Sequence, residues 1–388
     1  MSKGTQTTTL TQALQGTVEE FNALRHATAL TFEMRSKEET AQPADGLPEV
    51  VAIQRLISLS QQGPSMRVIW AREVVDHVAA APSLFPLTAV LLLLDGVEHV
   101  VEDVDGTRSN AAFAPARRKI YNYLPSTDLF ADRQALLCAD TRGHGRPPSL
   151  YSADRGQLLA RADFDSLISQ MVSAQTAVNV SSTRAFIFRQ TVSTIVAELF
   201  ENTDLHGRAA MDGTPIRKSG IRGIIFHRIP AQAPVSGRQT GSAGSATDML
   251  EISVFDAGLG FYGSYTRQSL EDDVPLEDEW TVVHQCMERH FEDDVAGVGP
   301  SHRGMGLYEV LRGLKDLGGM IEVRTGRVYG YRTFMRGEPK LLLESQASHS
   351  RPGMPKPRLL DKARQFVTVP TVHEQLVGAA IRVLIPLD

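Results

Sequence analysis

The chain has 388 residues, enough for two domains, and its 42% hydrophobic and 22% charged residues are the ordinary balance of a folded globular protein. A net charge of −5 argues against the basic footprint of bulk nucleic-acid binding, and Cys138 and Cys286, far apart and outside any C-x-x-C, argue against a disulfide framework or a zinc site. The first residues are polar with no secretory apolar stretch, and the longest apolar run, Ala89 to Leu94, is far short of a membrane span; a cytoplasmic protein with no membrane partner is expected.

Residues 1–48 read as a polar, partly helical lead-in, in which Leu10, Leu14, Val18, Phe21 and Leu24 recur at helical spacing and suggest one short amphipathic helix. Pro43-Ala-Asp-Gly46 marks a break. Residues 49–150 read as a small α/β domain, with helices over 50–60, 71–81 and 117–124. Leu87 to Gly96 suggests a buried strand ending in the Asp95-Gly96 turn. The alternation loosely resembles a STAS-like module, against the alternative of an unrelated α/β domain. Gly143 to Pro148 has no strand–loop–helix context and reads as a connector rather than a phosphate loop.

After helical approach segments over 151–185 comes Phe186 to Arg208, a predicted amphipathic helix whose apolar face carries Ile187, Val192, Ile195, Val196 and Leu199. Glu198 and Asn202, four positions apart, leave one face of that helix about a turn apart. An amide oxygen so placed suits Mg2+ and a carboxylate suits orienting or deprotonating a water, although most such pairs are simply a solvated face. Glu201 points about 100° away and reads as a surface residue, and His206-Gly207 reads as a helix end with a dipole-stabilised His and a glycine cap. Gly220 to Ile229 and Met249 to Phe255 suggest an antiparallel pair across a Gly- and Ser-rich loop over 234–247. The second strand ends in Asp256, Gly258 and Gly260, a D-x-G-x-G whose bland interpretation is an Asx-turn.

An acidic segment follows, with a helix-like run from Trp280 to Phe291. His302-Arg-Gly-Met-Gly-Leu-Tyr308 then opens another helix; glycines there expose backbone N–H groups at the positive end of the helix dipole, a phosphate-binding geometry. Met320 to Thr325 and Val328 to Phe334 suggest two more strands, 337–375 a surface excursion, and Gly378 to Pro386 a last strand. Gly213 to Ser219 lacks P-loop spacing, and no H-E-x-x-H, G-x-S-x-G or phosphoacceptor histidine context occurs.

A helix with E-x-x-x-N, a strand ending in D-x-G-x-G and a G-x-G-L opening a helix, in that order, resemble the N, G1 and G2 boxes of the GHKL ATP-binding superfamily, which includes gyrase-type topoisomerases, heat-shock chaperones, histidine kinases and mismatch-repair ATPases. The resemblance covers roughly 165–388. It implies an α/β fold in which 151–388 forms a Bergerat-type sandwich with a mixed sheet and a lid over about 261–303. It implies that Asp256 accepts from the adenine amino group, with Gly258 and Gly260 against base and ribose. Arg303, Gly304, Gly306 and Leu307 would cradle phosphates, Asn202 would hold Mg2+ and Glu198 would act as the catalytic base. Ala379 stands where the superfamily's last strand usually has Thr, which puts one adenine contact in doubt. The function so implied is ATP binding and Mg2+-dependent hydrolysis, coupled to lid closure and signalling to an unidentified protein partner. The alternatives are an anti-sigma-factor-like serine kinase and a nucleotide sensor without turnover. Homodimers are common in the superfamily.

Overall fold

Two sheets of opposite character divide the chain. The computed structural model describes residues 5–7, 9–37, 47–103, 105–124, 132–139, 145–153, 156–175, 183–208, 211, 220–231, 247–270, 273–288, 306–335, 343–344, 356–364 and 367–387. The N-terminal part contains β1 (Thr5–Thr7), α1 (Leu10–Gln15), α2 (Val18–Arg25), β2 (Ala29–Met34), α3 (Glu49–Gln62), β3 (Ser65–Ala71), α4 (Arg72–Ala80), α5 (Pro86–Leu93), β4 (Val97–Glu102) and α6 (Phe113–Tyr121). Its four strands run parallel in the order β1-β2-β3-β4.

The lead-in is part of this unit. Its expected single helix is two, because Thr9 and Thr17 each build a capping box: Thr9 Oγ1 accepts from the Gln12 N–H at 3.2 Å and Thr17 Oγ1 from the Glu20 N–H at 3.2 Å. Gly16 separates them, and Leu10, Leu14, Phe21 and Leu24 are all buried. Residues 87–96 also depart from expectation. The expected buried strand is helix α5, every residue of which is buried. An unbroken apolar run carries no periodicity to distinguish the two states; here Pro86 at the first helical position and a leucine-rich run favour the helix.

The remainder forms β5 (Arg133–Ala139), α7 (Arg161–Gln175), α8 (Thr183–His206), β6 (Ile221–Ile229), β7 (Met249–Asp256), α9 (Gly260–Thr266), α10 (Leu276–Met287), α11 (Gly306–Leu317), β8 (Met320–Gly326), β9 (Val328–Thr333), β10 (Leu343–Glu344), β11 (Lys356–Pro357), β12 (Leu360–Asp361) and β13 (Leu376–Pro386). Seven strands join in the order β12-β9-β8-β13-β7-β6-β5. The fold is α/β, but the expected mixed sheet is not found: every pairing between the described strands of this sheet is antiparallel. β6–β7 and β8–β9 are antiparallel neighbours in sequence, and β13 returns between them antiparallel to both. The edge strand β5 comes from before residue 151, where the sequence alone sets the start of the C-terminal unit.

Side chains alternate across this sheet. Leu250, Ile252, Val254, Val383 and Ile385 pack with buried residues of α7, α8 and α11, whereas Phe255, Ala257 and Ala380 join the core that includes α3 and α5. The helix α3, held between the two parts, is buried at every position from Val50 to Leu59. The described part of 337–375 is more than a surface excursion. β12 extends the large sheet, Leu359 is buried, and the buried Asp361 accepts from the N–H groups of Arg364 and Thr371 at 2.7 and 2.8 Å. Scattered Pro, Lys and Arg hid these local carboxylate turns from any periodic pattern. The loop at 234–247, apart from its last residue, and Gly213–Ser219 lie outside the described residues. Among the described residues no helix is long and apolar enough to cross a membrane.

Candidate functional site

Helix α8 buries Val192, Ile195, Val196 and Leu199, but Ile187, expected on the same face, is 54% exposed. Phe186 is likewise 59% exposed, whereas Ala185 is buried, so the buried face of the first turns is not the one that carries Ile187. Glu198 and Asn202 leave α8 toward the start of α11. A Cβ placed on Gly306 would lie 2.9 Å from Glu198 Oε2 and 3.4 Å from Asn202 Nδ2, so the opening of α11 sits directly against both side chains.

Glu198 has a partner that no motif indicates. At the first residue of α7, Arg161 donates through one nitrogen to Glu198 Oε1 and to Glu201 Oε1, each at 3.2 Å, while its Nε pairs with Asp165 at 3.2 Å. Glu201 is a half-exposed surface residue, as expected, that also shares this cation with Glu198. Burial raises its pKa, opposed by the charge of Arg161.

Asp256 closes β7, paired with Arg222 on one side and Ala379 on the other. Its Oδ1 accepts the Gly258 N–H at 2.8 Å, so the Asx-turn is real and coexists with a side chain that lines a cavity. Burial pushes this carboxyl up to about 6, against the opposing pull of the Gly258 and Ala379 N–H groups and the Arg222 charge. The end of α8 touches the same turn: a Cβ on Gly207 would lie 2.6 Å from Asp256 Cβ, and one on Gly258 2.5 Å from Gly207 Cα. Gly207 follows the last residue of α8 and its N–H closes the helix on the Thr203 carbonyl at 2.8 Å, as the expected glycine cap, but without a positive φ; what demands glycine there is the close approach to Asp256. Gly260 does adopt φ +69, and the chain there is pinned by Thr325, whose Oγ1 accepts the Phe261 N–H at 3.1 Å and donates to the Gly378 carbonyl at 3.0 Å.

These segments enclose a cavity of about 240 Å3, close to the roughly 300 Å3 at which small-molecule sites begin. Asn202, Asp256, Gly260, Gly306 and Leu307 line it together, joined by Ala379. Glu198 stands beside Gly306 without lining it, and Gly258 lies behind Asp256 in a neighbouring hollow. Arg303, Gly304 and His302 lie outside the described residues, as do 271–272 and 289–303 of the expected lid.

No protein-family model, curated protein or solved structure matches this chain. The site's chemistry therefore rests on its own residues. Its walls include Leu199, Val254, Leu307 and Ile381, and the buried Asp256 carboxyl is set among them. That combination fits a flat, largely apolar ring bearing a hydrogen-bond donor. Sequence reasoning missed several contributors. His206 lines the cavity, and so do Phe261 and Tyr265 of α9 and Cys286 of α10, from the acidic segment. Burial pushes the Cys286 thiol up to about 12, so it serves as wall rather than nucleophile. Among the described residues no group of three or more His, Cys, Asp or Glu could hold a metal ion. Asn202 and Glu198 fit only an ion that takes most of its ligands from a bound phosphate and water, the usual habit of Mg2+.

Proposed function

We propose that the chain is a GHKL-type ATP-binding protein that hydrolyses ATP with Mg2+ and relays closure of the segment over the site to a protein partner. The observation that carries this is convergence. Three segments far apart in sequence, each carrying one of the ordered boxes, contribute Asn202, Asp256 with Gly260, and Gly306 with Leu307 to one cavity. Asp256 would accept from the adenine amino group between the apolar walls. The phosphates would extend toward the exposed N–H groups at the start of α11, beside Asn202 and Glu198. Asn202 would supply a protein oxygen to Mg2+, which neutralises phosphate charge when bound. Glu198 would hold and deprotonate the attacking water.

The deciding experiment is phosphate release from Mg2+-ATP by the wild type and by Glu198→Ala. Turnover present in the wild type and lost in the variant, with ATP still bound, is the expected result; absence of ATP binding in the wild type overturns the assignment. In Asn202→Ala, ATP affinity measured with and without Mg2+ should lose its metal-dependent part, by at least the ~10–100-fold typical of perturbed metal sites. An unchanged Mg2+ dependence removes the metal role.

A second reading has one observation in its favour. Arg161 engages Glu198 Oε1 at 3.2 Å, and a carboxylate oxygen held by a guanidinium is less available to hold the attacking water. Tight ATP binding without turnover in wild type, with turnover appearing in Arg161→Ala, would identify a nucleotide sensor held inactive by this pair.

A further inference from the structure

One helix of the N-terminal part reaches the back of the candidate pocket with buried polar groups. Gln54 of α3 is fully buried, and its side-chain NH2 donates to the backbone carbonyl of Asp256 at 3.0 Å and to the carbonyl of Val377. Its Oε1 has no partner among the described residues. The orientation of the amide is therefore fixed, because a flip would set Oε1 against two carbonyl oxygens. One turn on, the buried Ser58 donates to the Gln54 carbonyl at 2.7 Å and accepts the Val377 N–H at 2.9 Å. Between them Arg55 binds Glu374 at 2.7 Å and also holds the Leu14 and Gly16 carbonyls, each at 2.8 Å.

The segment so gripped, 374–378, leads into the pocket. Gly378 has φ +72, and a Cβ there would run into the Asp256 carbonyl, so its backbone lies hard against the residue whose carboxyl lines the cavity. The next residue, Ala379, lines the pocket itself. The Gly378 carbonyl in turn accepts from Thr325, whose oxygen takes the N–H of Phe261 in α9. Hydrogen bonds thus run from α3 through the strand pair behind Asp256 to the first helix over the cavity. Two buried donors and one acceptor on α3 are spent on backbone groups of the opposite domain, where apolar side chains would have packed more simply.

We propose that Gln54 and Ser58 are positioning residues for the nucleotide base and that α3 is the element through which the N-terminal part and the nucleotide site sense one another. The inference rests on the ATP-binding assignment above and adds to it the route of signalling. Coupling of this kind is reciprocal: whatever shifts α3 changes base affinity, and a bound base stiffens the hold on 377–379.

The test uses the full chain. ADP and inorganic tripolyphosphate are titrated into wild type, Gln54→Met, which keeps bulk but removes both donors, and Ser58→Ala. Hydrogen exchange of the Val377 and Phe261 amides is followed with and without ADP. Gln54→Met is expected to weaken ADP roughly 10- to 100-fold while tripolyphosphate binding stays the same, since only the base contacts the repositioned floor. In the wild type ADP is expected to slow exchange at Val377, and Ser58→Ala to abolish that slowing. Equal ADP affinity in wild type and Gln54→Met overturns the positioning role, and ADP binding that leaves Val377 exchange unchanged overturns the coupling. Where Gln54→Met fails to fold, the ADP and tripolyphosphate titrations of Ser58→Ala test the positioning role, with equal ADP affinity overturning it, and the wild-type exchange measurement still tests the coupling. Failure of the wild type to bind ADP at all overturns the ATP-binding assignment first and this inference with it.

Discussion

Asp256→Asn is expected to separate recognition of the base from recognition of the phosphates. The wild-type carboxylate is an acceptor in a buried setting, with one oxygen engaged by the Gly258 N–H. An Asn can keep that bond only by turning its NH2 group toward the position proposed for the adenine amino group, where two donors would face each other without water. A buried hydrogen bond to a charged group lost in this way costs about 2–3 kcal/mol, so ADP should bind about 100-fold more weakly while tripolyphosphate is unaffected. Equal losses for the two ligands would remove the adenine contact.

The same variant makes an independent prediction about stability. Burial moves the Asp256 pKa from 3.8 to about 6. The folded state therefore holds a proton that the unfolded state has released between these values, and stability from this residue is present at low pH and lost as pH rises through about 6. Thermal melts between pH 4 and 8 should show the wild type losing stability relative to Asp256→Asn between about pH 4 and 6, with a constant difference above that. A pH-independent difference would mean that the carboxyl is not desolvated as the fold suggests. A charge kept at a cost to the fold is a common mark of a binding site.

Much of the C-terminal architecture was legible because its strands are apolar, β-branched runs bounded by glycines and turns and its helices carry helical spacing. The β6–β7 and β8–β9 pairs, the final strand and the helices α8 and α11 follow from such runs or from helical spacing in the sequence. Two elements buried at every residue were harder. α5 reads as a strand because all eight of its residues are buried, and β5 shows no alternation because all seven of its residues are. The site was legible as far as its motifs reach. Asn202, Asp256, Gly260, Gly306 and Leu307 do converge, since each motif marks a local backbone geometry that a sequence can encode. Arg161 and Gln54 were not legible. One meets Glu198 across 37 positions and the other meets Asp256 across 202, and neither pairing leaves a local pattern.

Arg222 and Asp204 show the same long-range logic, and their removal carries the largest expected effect on stability. Arg222 is fully buried in β6; it donates to Asp204 Oδ1 at 2.8 Å and to the Tyr151 hydroxyl, which itself donates to Asp204 at 2.7 Å. Asp204 follows Asn202 by two positions on α8, so the cluster anchors the end of the helix that bears the candidate metal ligand. Asp204→Ala leaves the guanidinium buried without its carboxylate and should cost about 3–5 kcal/mol in denaturant unfolding. Replacing both partners, with Asp204→Leu and Arg222→Met together, removes the stranded charge and should recover most of that loss. A double variant no more stable than Asp204→Ala would show that the pair is not the source of the cost.

The double variant should nevertheless fail in function in a particular way. Arg222 faces Asp256 across the β6–β7 pair, and its charge is one of the influences holding the Asp256 pKa down. Without it the carboxyl should titrate higher, so the pH below which ADP affinity falls off should move up relative to the wild type. The wild type should show the corresponding loss only near pH 6. Titrations of ADP across pH check this directly, and coincident profiles for the two proteins would show that Arg222 serves the fold alone. A shifted profile on a stable background would instead assign to one buried arginine both the anchoring of α8 and the charge state of the carboxyl proposed to read the base.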